Sequence, residues 1–385
     1  MKKITIFYDA DFATMEGGGQ KRLFEISKAA NNIDKNNQVN WISFKFWDSG
    51  SSFKKDGITY KGVISKPNFY NINGDRNIYE PLLYFLNCLL SIPKFVKSDI
   101  FIVGQWPLIH IFPIIIIGLI LRKEIYIEWW ETLHNQWIKK GFPGRVAGII
   151  EKLLIYTSSY TTFVVECDSE KKLIKDTNKN AKVIIIENGV DIEKYSKSKI
   201  SKKYDFISLG RLVKHKNVDV IIKAVHRIKT TYGQNVSMCI VGDGPEKETI
   251  QDLIKSLNLE SNVTAKGFVS DEREKNLFIQ ESKIGVIAQK GVGRGNLVVN
   301  ELMSGGIPVI AVGGENGIDS SYITEGIDGY LVESLDYNHL AESMNKMLVN
   351  KEKLEEMSEY LKSNIENFSW SSKLKNYPAL LNNKI

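Results

Sequence analysis

Short apolar runs alternate with amphipathic, helix-period stretches along the whole chain, the pattern of parallel α/β sheets. In the first half the pattern predicts strands at 3–8, 39–44, 100–103, 124–128, 162–165 and 184–186. Helices are predicted at 20–30, 79–95 and 144–156. It restarts with a strand at 205–209 and a helix at 219–230, then a strand at 237–241 and a helix at 246–257. Further strands fall at 263–265, 284–288 and 307–311. Between the halves, residues 194–203 are lysine-rich and carry no apolar period, which marks a linker. Two doubly wound domains are expected, with ligands at the C-terminal ends of their strands.

One segment competes with that reading. FIVGQWPLIHIFPIIIIGLIL (101–121) has the length of a membrane span. Gln105, His110 and two prolines favour its division into a strand, a turn at Trp106-Pro107 and a buried helix.

The 385 residues suit two domains, and 43% hydrophobic with 25% charged residues is the composition of a soluble globular protein. The three cysteines are far apart, which fits a reducing, cytoplasmic setting and offers no metal-site spacing. MKKITIFYDAD reads as a first strand, since a signal peptide needs a longer apolar region. The net charge of +6 is uneven: residues 1–200 carry +7 and the remainder −1. A basic first half suits an anionic partner such as a membrane surface or phosphorylated acceptor, or serves solubility alone.

Candidate chemistry sits in glycine-rich loops. At 289–311, QKGVGRGNLVVNELMSGGIPVIA places glycines before a short helix, Glu301 on that helix, and Gly305-Gly306 at its end. Phosphates fit the helix start and ribose hydroxyls fit Glu301, although an ordinary loop–helix–strand link has the same pattern. Gly17-Gly18-Gly19 opens the first helix and can cradle a phosphate or sugar hydroxyl, or form a flexible loop. Eight residues separate it from strand one and the third glycine of a dinucleotide fingerprint is missing, which argues against NAD. Asp9-Ala10-Asp11 resembles a metal-binding Asp-x-Asp, but two acids after a first strand are common. Arg211 and Lys216 follow Gly210 at a strand end and can neutralise a diphosphate. Trp106, Trp129, Trp130 and Trp137 lie near Lys139-Lys140 and Arg145, which suits a membrane interface or lipid phosphate; core packing explains Trp129 or Trp130 equally. No nucleic-acid module is recognisable.

GGGQKRLFEISKAA (17–30), NGVDIEKY (188–195), GRLVKHKNVDVIIKA (210–224), IVGDGPEKE (240–248), NVTAKGFVSDE (262–272), NLVVNELMSGGIPVIA (296–311) and DGYLVE (328–333) follow one another in order. Together they resemble the retaining, nucleotide-sugar glycosyltransferases of family 4. The resemblance is strong over about 185–335 and weaker before it. It implies the GT-B architecture: two Rossmann-like domains facing a central cleft, here 1–196 for acceptor and 197–367 for donor. It also implies that 368–385 forms a helix returning to the first domain.

The resemblance assigns Arg211 and Lys216 to the donor diphosphate and Glu301 to the ribose. Leu297 and Val298 fall at the phosphates, Gly267 and Phe268 at the base, and Gly18 and Gly19 at the first-domain loop, with Gly210, Arg294 and Asn296 among the donor-binding residues. Two departures stand out. The first glutamate of the family's Glu-x7-Glu motif is Gly293 here, flanked by Lys290 and Arg294, which suggests a cationic pocket for an anionic sugar. In EWWETLHNQW (128–137), Trp130 replaces the histidine of a Trp-His-Glu-x-Trp subgroup pattern, Glu131 is retained, and His134 lies one turn further on as a substitute.

The expected activity is transfer of a sugar from a UDP- or GDP-linked donor to a glycan, polysaccharide or lipid-linked acceptor, with retention. No metal or other cofactor is expected, because cations and helix-start N–H groups handle the leaving charge. The expected place is cytoplasmic, peripheral on the inner membrane face. A non-catalytic nucleotide-sugar-binding scaffold is the competing reading.

Overall fold

A computed structural model describes residues 2–377 and 381, apart from 16, 35, 49, 70–76, 78, 134–136, 138–140, 197, 199, 291–296 and 315–316. The chain forms two units, one of Met1–Glu187 with Leu374–Ile385 and one of Asn188–Lys373. The divisions thus fall at 187/188 and 373/374, where the sequence suggested 196/197 and 367/368. Hydrogen bonds explain the difference. Val190 N donates to the Phe368 carbonyl at 2.8 Å, and Tyr195 Oη donates to the Glu301 carbonyl at 2.7 Å.

The first unit is built on strands β1 (Lys3–Phe7), β2 (Gln38–Ile42), β3 (Ser52–Lys55), β4 (Ile58–Lys61), β5 (Ile100–Gly104), β6 (Glu124–Glu128), β7 (Thr162–Val165) and β8 (Lys182–Ile185). Their order across the sheet is β3-β4-β2-β1-β5-β6-β7-β8. Only the β3–β4 pair is antiparallel among the described strands. That hairpin has no counterpart in the sequence reading, although Asp56 (φ 52°) and Gly57 (φ 77°) form the two-residue left-handed turn such a hairpin needs.

Its helices are α1 (Gly18–Ile33), α2 (Glu80–Leu90), α3 (Ile92–Phe95), α4 (Ile111–Ile120), α5 (Gly141–Tyr156) and α6 (Asp168–Thr177). The sequence predicts one helix over 79–95; the structure breaks it at Ser91. Pro93 explains the break, because its ring collides with the carbonyl four residues back and it lacks an N–H. Residues 101–121 divide into β5, a 3-10 turn (Leu108–His110) and α4, the strand–turn–helix division. No helix among the described residues is long and apolar enough to cross a membrane.

The connections through α2, α4 and α5 all step across the sheet in one direction, whereas β1→α1→β2 steps the other way. Right-handed crossovers therefore place α2, α4 and α5 on one face and α1 on the other. α2 packs on α4, and the Leu108–His110 turn touches α2, α4 and α5. The core beneath is aromatic: Phe7 meets Phe95 edge-on at 4.8 Å and Phe101 at 5.4 Å. The outer sides of this layer are apolar as well, with Leu82, Leu86 and Leu90 exposed on α2 and Ile116, Leu119 and Ile120 exposed on α4.

A buried ion pair joins the first unit's segments. Arg22 on α1 is 1% exposed and Glu128 at the end of β6 is 0% exposed. Arg22 Nε donates to Glu128 Oε2 at 2.6 Å, and its second arm donates to the Ile186 carbonyl at 2.8 Å. Tyr377 Oη donates to the other Glu128 oxygen at 2.6 Å. Burial alone would lower the Arg22 pKa, but Glu128 and Glu166 outweigh it and the net shift is upward.

The second unit carries β9 (Tyr204–Leu209), β10 (Met238–Val241), β11 (Val263–Gly267), β12 (Ser282–Ile287), β13 (Val309–Val312) and β14 (Gly329–Val332). They form a parallel sheet in the order β11-β10-β9-β12-β13-β14. Its helices are α7 (Val218–Thr231), α8 (Lys247–Ser256), α9 (Glu272–Gln280), α10 (Leu297–Ser304), α11 (Tyr337–Val349), α12 (Lys351–Ser363) and the short α13 (Trp370–Lys373). Ile221, Ile222, Val225 and Ile228 of α7 are all 0% exposed and close the core over β9 and β10.

Breaking the Arg22–Glu128 pair leaves an uncompensated buried charge. Arg22→Ala is expected to lower the first unit's stability by about 3–5 kcal/mol. Tyr377→Phe is expected to cost about 1.5–3 kcal/mol. Urea unfolding followed by tryptophan fluorescence reads both.

Candidate functional site

The strand ends of the second unit set the geometry of the site. β9, β10 and β11 run directly into Gly210 (φ 132°), Gly242 (φ 147°) and Gly267 (φ 73°). Gly210 N donates to the Val241 carbonyl at 3.0 Å, and Gly242 N to the Gly267 carbonyl at 2.8 Å. The strands meet so closely that a Cβ on Gly242 would lie 1.9 Å from the Gly210 carbonyl oxygen. Only glycine fits there, and the backbone at this edge lies bare. A Cβ on Gly267 would meet nothing within 4 Å, and Phe268 beyond it is 76% exposed.

Beside these ends lies a pocket lined by Gly210, Arg211, Lys216 and Val298, with Ile287 and Ala288 at its back. Arg211 is exposed, Lys216 is half-buried, and Leu297 and Val298 form the first turn of α10. The pocket therefore joins the cations after β9 to the start of the helix after β12.

Those two loops are bonded to each other. Asn217 takes a left-handed conformation (φ 49°), and its amide donates to the carbonyls of His215 at 3.0 Å and Ala288 at 2.9 Å. Lys216 Nζ donates to Gln289 Oε1, and Lys290 N donates to the His215 carbonyl at 3.0 Å. Lys290, expected to flank the sugar pocket, is thus anchored by its backbone. His215 titrates below its ordinary range because of its burial first, then because of Lys216 and Arg211.

Glu301 lies on α10 and is 15% exposed at its side chain. Its Oε1 pairs with Lys275 Nζ of α9 at 2.7 Å. The pairing holds one carboxylate oxygen in place, with Oε2 as a further acceptor. Lys275, Asn217 and Gln289 did not stand out in the sequence. Each acts through a contact distant in the chain, and only the Asn in the KHKN turn carried a local signal.

In the first unit, Gly18 is exposed and a Cβ there would meet nothing within 4 Å. A Cβ on Gly19 would lie 2.7 Å from the Trp130 ring and 3.1 Å from Tyr8 Oη. Trp130 packs edge-on against Tyr8 at 5.4 Å. Gln105 Oε1 accepts from Trp130 N at 2.8 Å and Glu131 N at 3.0 Å, while its Nε2 donates to the Glu131 carbonyl at 2.5 Å. The structure thus brings Gly19 to Trp130 and fixes Glu131 through Gln105, which the sequence marked only as an argument against a membrane span. Trp129 faces the core against Phe163, and Trp106 pairs with Trp137, so the four tryptophans do not form one surface. Asp11 is held by Thr14 Oγ1 at 2.8 Å, and burial pushes its carboxyl up. Arg294, Asn296, His134 and Gly293 lie outside the described residues.

Residues 189–364 match the family described as glycosyl transferases group 1. An uncharacterized glycosyltransferase of Methanocaldococcus jannaschii is 25% identical over 301 residues, covering 74% of this chain and 71% of the relative. A capsular polysaccharide biosynthesis glycosyltransferase of Staphylococcus aureus is 26% identical over 256 residues, covering 63% and 65%. Among solved structures, sucrose-phosphate synthase of Thermosynechococcus elongatus aligns with a TM-score of 0.77 at 13% identity over 100% and 99% of the two chains. Anabaena HepE in complex with UDP-glucose aligns at 0.70 and 15% over all of both.

Two parallel-sheet units of this kind are those of GT-B glycosyltransferase structures. The second unit thus matches the group 1 glycosyl transferases over 189–364, and the relatives that extend over both units carry glycosyltransferase names.

Two tests bear on the pocket's field. The lowered His215 pKa means that the unfolded chain binds the proton more readily, so His215's contribution to stability is present above the ordinary histidine range. It is lost as pH falls through the folded-state value. Lys216→Met is expected to move the His215 midpoint up, and Arg211→Met to do so less, while burial keeps it below 6.5. Proton NMR of the imidazole across pH 5–8 measures this; an unmoved midpoint would rule out the two cations as causes.

Proposed function

We propose that the chain transfers a sugar from a nucleoside-diphosphate sugar, UDP- or GDP-linked, to a glycan, polysaccharide or lipid-linked acceptor. The observation that carries this reading is the pocket where Gly210, Arg211 and Lys216 meet the first turn of α10 at Val298. In it, two cations and helix-start N–H groups converge beside bare backbone, the chemistry a departing diphosphate requires. HepE, of the same fold, holds UDP-glucose, and the staphylococcal relative belongs to polysaccharide biosynthesis.

On this reading Arg211 and Lys216 take the diphosphate charge as the bond to the sugar breaks, so no divalent ion is needed. Glu301, held by Lys275, accepts from the ribose hydroxyls through Oε2. Leu297 and Val298 offer backbone N–H groups to the phosphates, and Gly267 and Phe268 lie at the base. Gly19 and Trp130, with Glu131 pinned by Gln105, form a separate candidate site within the first unit. Retention follows from the family resemblance, with front-face attack assisted by the leaving phosphate. The basic first half suits an acceptor presented at a membrane.

Isothermal titration with UDP and GDP tests the donor reading. Arg211→Ala and Lys216→Ala are each expected to weaken nucleotide binding by about 10- to 150-fold, the equivalent of one charge-assisted hydrogen bond. Glu301→Gln is expected to weaken UDP binding and leave pyrophosphate binding unchanged; equal loss for both ligands would remove Glu301 from the ribose. Release of nucleoside diphosphate is expected to persist in EDTA, and its loss would restore a metal to the mechanism.

A further inference from the structure

The solvent-facing side of α5 has the wrong composition for a helix that meets only water. Phe142, Val146, Ile149, Leu153 and Tyr156 recur at helical spacing and are all exposed, Phe142 at 77% and Ile149 at 59%. They form one stripe along 16 residues, opposite the face that packs inward. The other exposed long side chains on α5 are Arg145 and Lys152. The helix has a single carboxylate, Glu151, and it is turned inward. It is 0% exposed and accepts from Leu133 N at 2.7 Å and Trp137 Nε1 at 2.8 Å. The outer face of α5 thus presents apolar groups and cations with no anion.

The neighbouring helices extend this surface. The exposed leucines of α2 and the exposed Ile116, Leu119 and Ile120 of α4 lie on the same side of the sheet, and Arg122 and Lys123 follow α4 directly. Contiguous exposed apolar surface rimmed by polar groups marks an interaction site. The charges select the partner. Against the outer side of α5 in a second copy, Arg145 and Lys152 would meet like charges and no acid of that helix. Against phosphate headgroups, each cation gains a counter-charge while the stripe enters the acyl boundary. A helix of 16 residues is about 24 Å long, short of the roughly 30 Å apolar core of a bilayer, so it lies in the plane of the surface.

We propose that α5, on the same side of the sheet as α2 and α4, is a docking face that seats the first unit on an anionic lipid bilayer. The proposal moves the membrane contact away from Trp106, Trp129, Trp130 and Trp137, which are spread between core and loops, to a helix face. It rests on the exposure pattern and charge of the first unit, independently of the donor reading.

Flotation of the full chain with vesicles tests it, without nucleotide present. Vesicles of phosphatidylcholine with 30% phosphatidylglycerol are expected to carry the protein, and pure phosphatidylcholine vesicles to carry at least tenfold less. Ile149→Glu with Leu153→Glu is expected to abolish flotation. Arg145→Gln and Lys152→Gln are each expected to weaken it by about fivefold, the worth of one cation near an anionic surface. UDP titration and circular dichroism of the same variants check the fold, and both are expected to be unchanged. Failure to float on the anionic vesicles would overturn the proposal, as would flotation indifferent to the Ile149 and Leu153 changes. A dimer in sedimentation that Ile149→Glu dissociates, with no vesicle binding, would assign the face to a second copy instead.

Discussion

Glu128 is the point through which the first unit is assembled. Its two oxygens are claimed by different parts of the chain, one by Arg22 of α1 and the other by Tyr377, and Arg22 also reaches the carbonyl after β8. A carboxylate with no exposure is tolerable only when such donors surround it, so α1, the end of β6 and Tyr377 must arrive together. Glu128 is followed at once by Trp129, locked in the core, and Trp130, laid against Gly19. The buried pair therefore fixes the strand end from which the first unit's candidate site residues project.

The second unit reaches the same end by other means. It places bare glycine backbone at three adjacent strand ends and bonds two loops across the sheet through Asn217, Lys216 and the Lys290 amide. His215 beside that pocket titrates below its ordinary range, through burial first and then through repulsion by Lys216 and Arg211. An anion entering it would relieve that repulsion. Glu301 lies on the same helix as the pocket's Val298 but carries its own counter-charge in Lys275.

Period and order made the parallel strands legible, because fully buried strands read as apolar runs whatever lies around them. The β3–β4 hairpin escaped because its strands are only four residues each and β3 is mostly exposed lysine and serine, although Asp56-Gly57 announced the turn. Arg211, Lys216 and Glu301 were legible as motif residues. Their partners Gln289 and Lys275 were not, since a side chain reaching across 73 or 26 residues leaves no local trace. Arg22 was hidden for a related reason: among Leu23, Ile26 and Ala30 it reads as the polar edge of an amphipathic helix, yet it is buried. The outward apolar stripe of α5 was invisible to period alone, because period shows a stripe without saying which way it faces.

Tyr377 has a consequence for how the protein is made. When the ribosome has completed residues 1–187, Glu128 still lacks the hydroxyl that claims its other oxygen. That hydroxyl is encoded 249 residues after Glu128, beyond the whole of the second unit. The first unit is thus the first to be synthesised and the last to be finished, and its final hydrogen bond reports that the entire chain between has been translated.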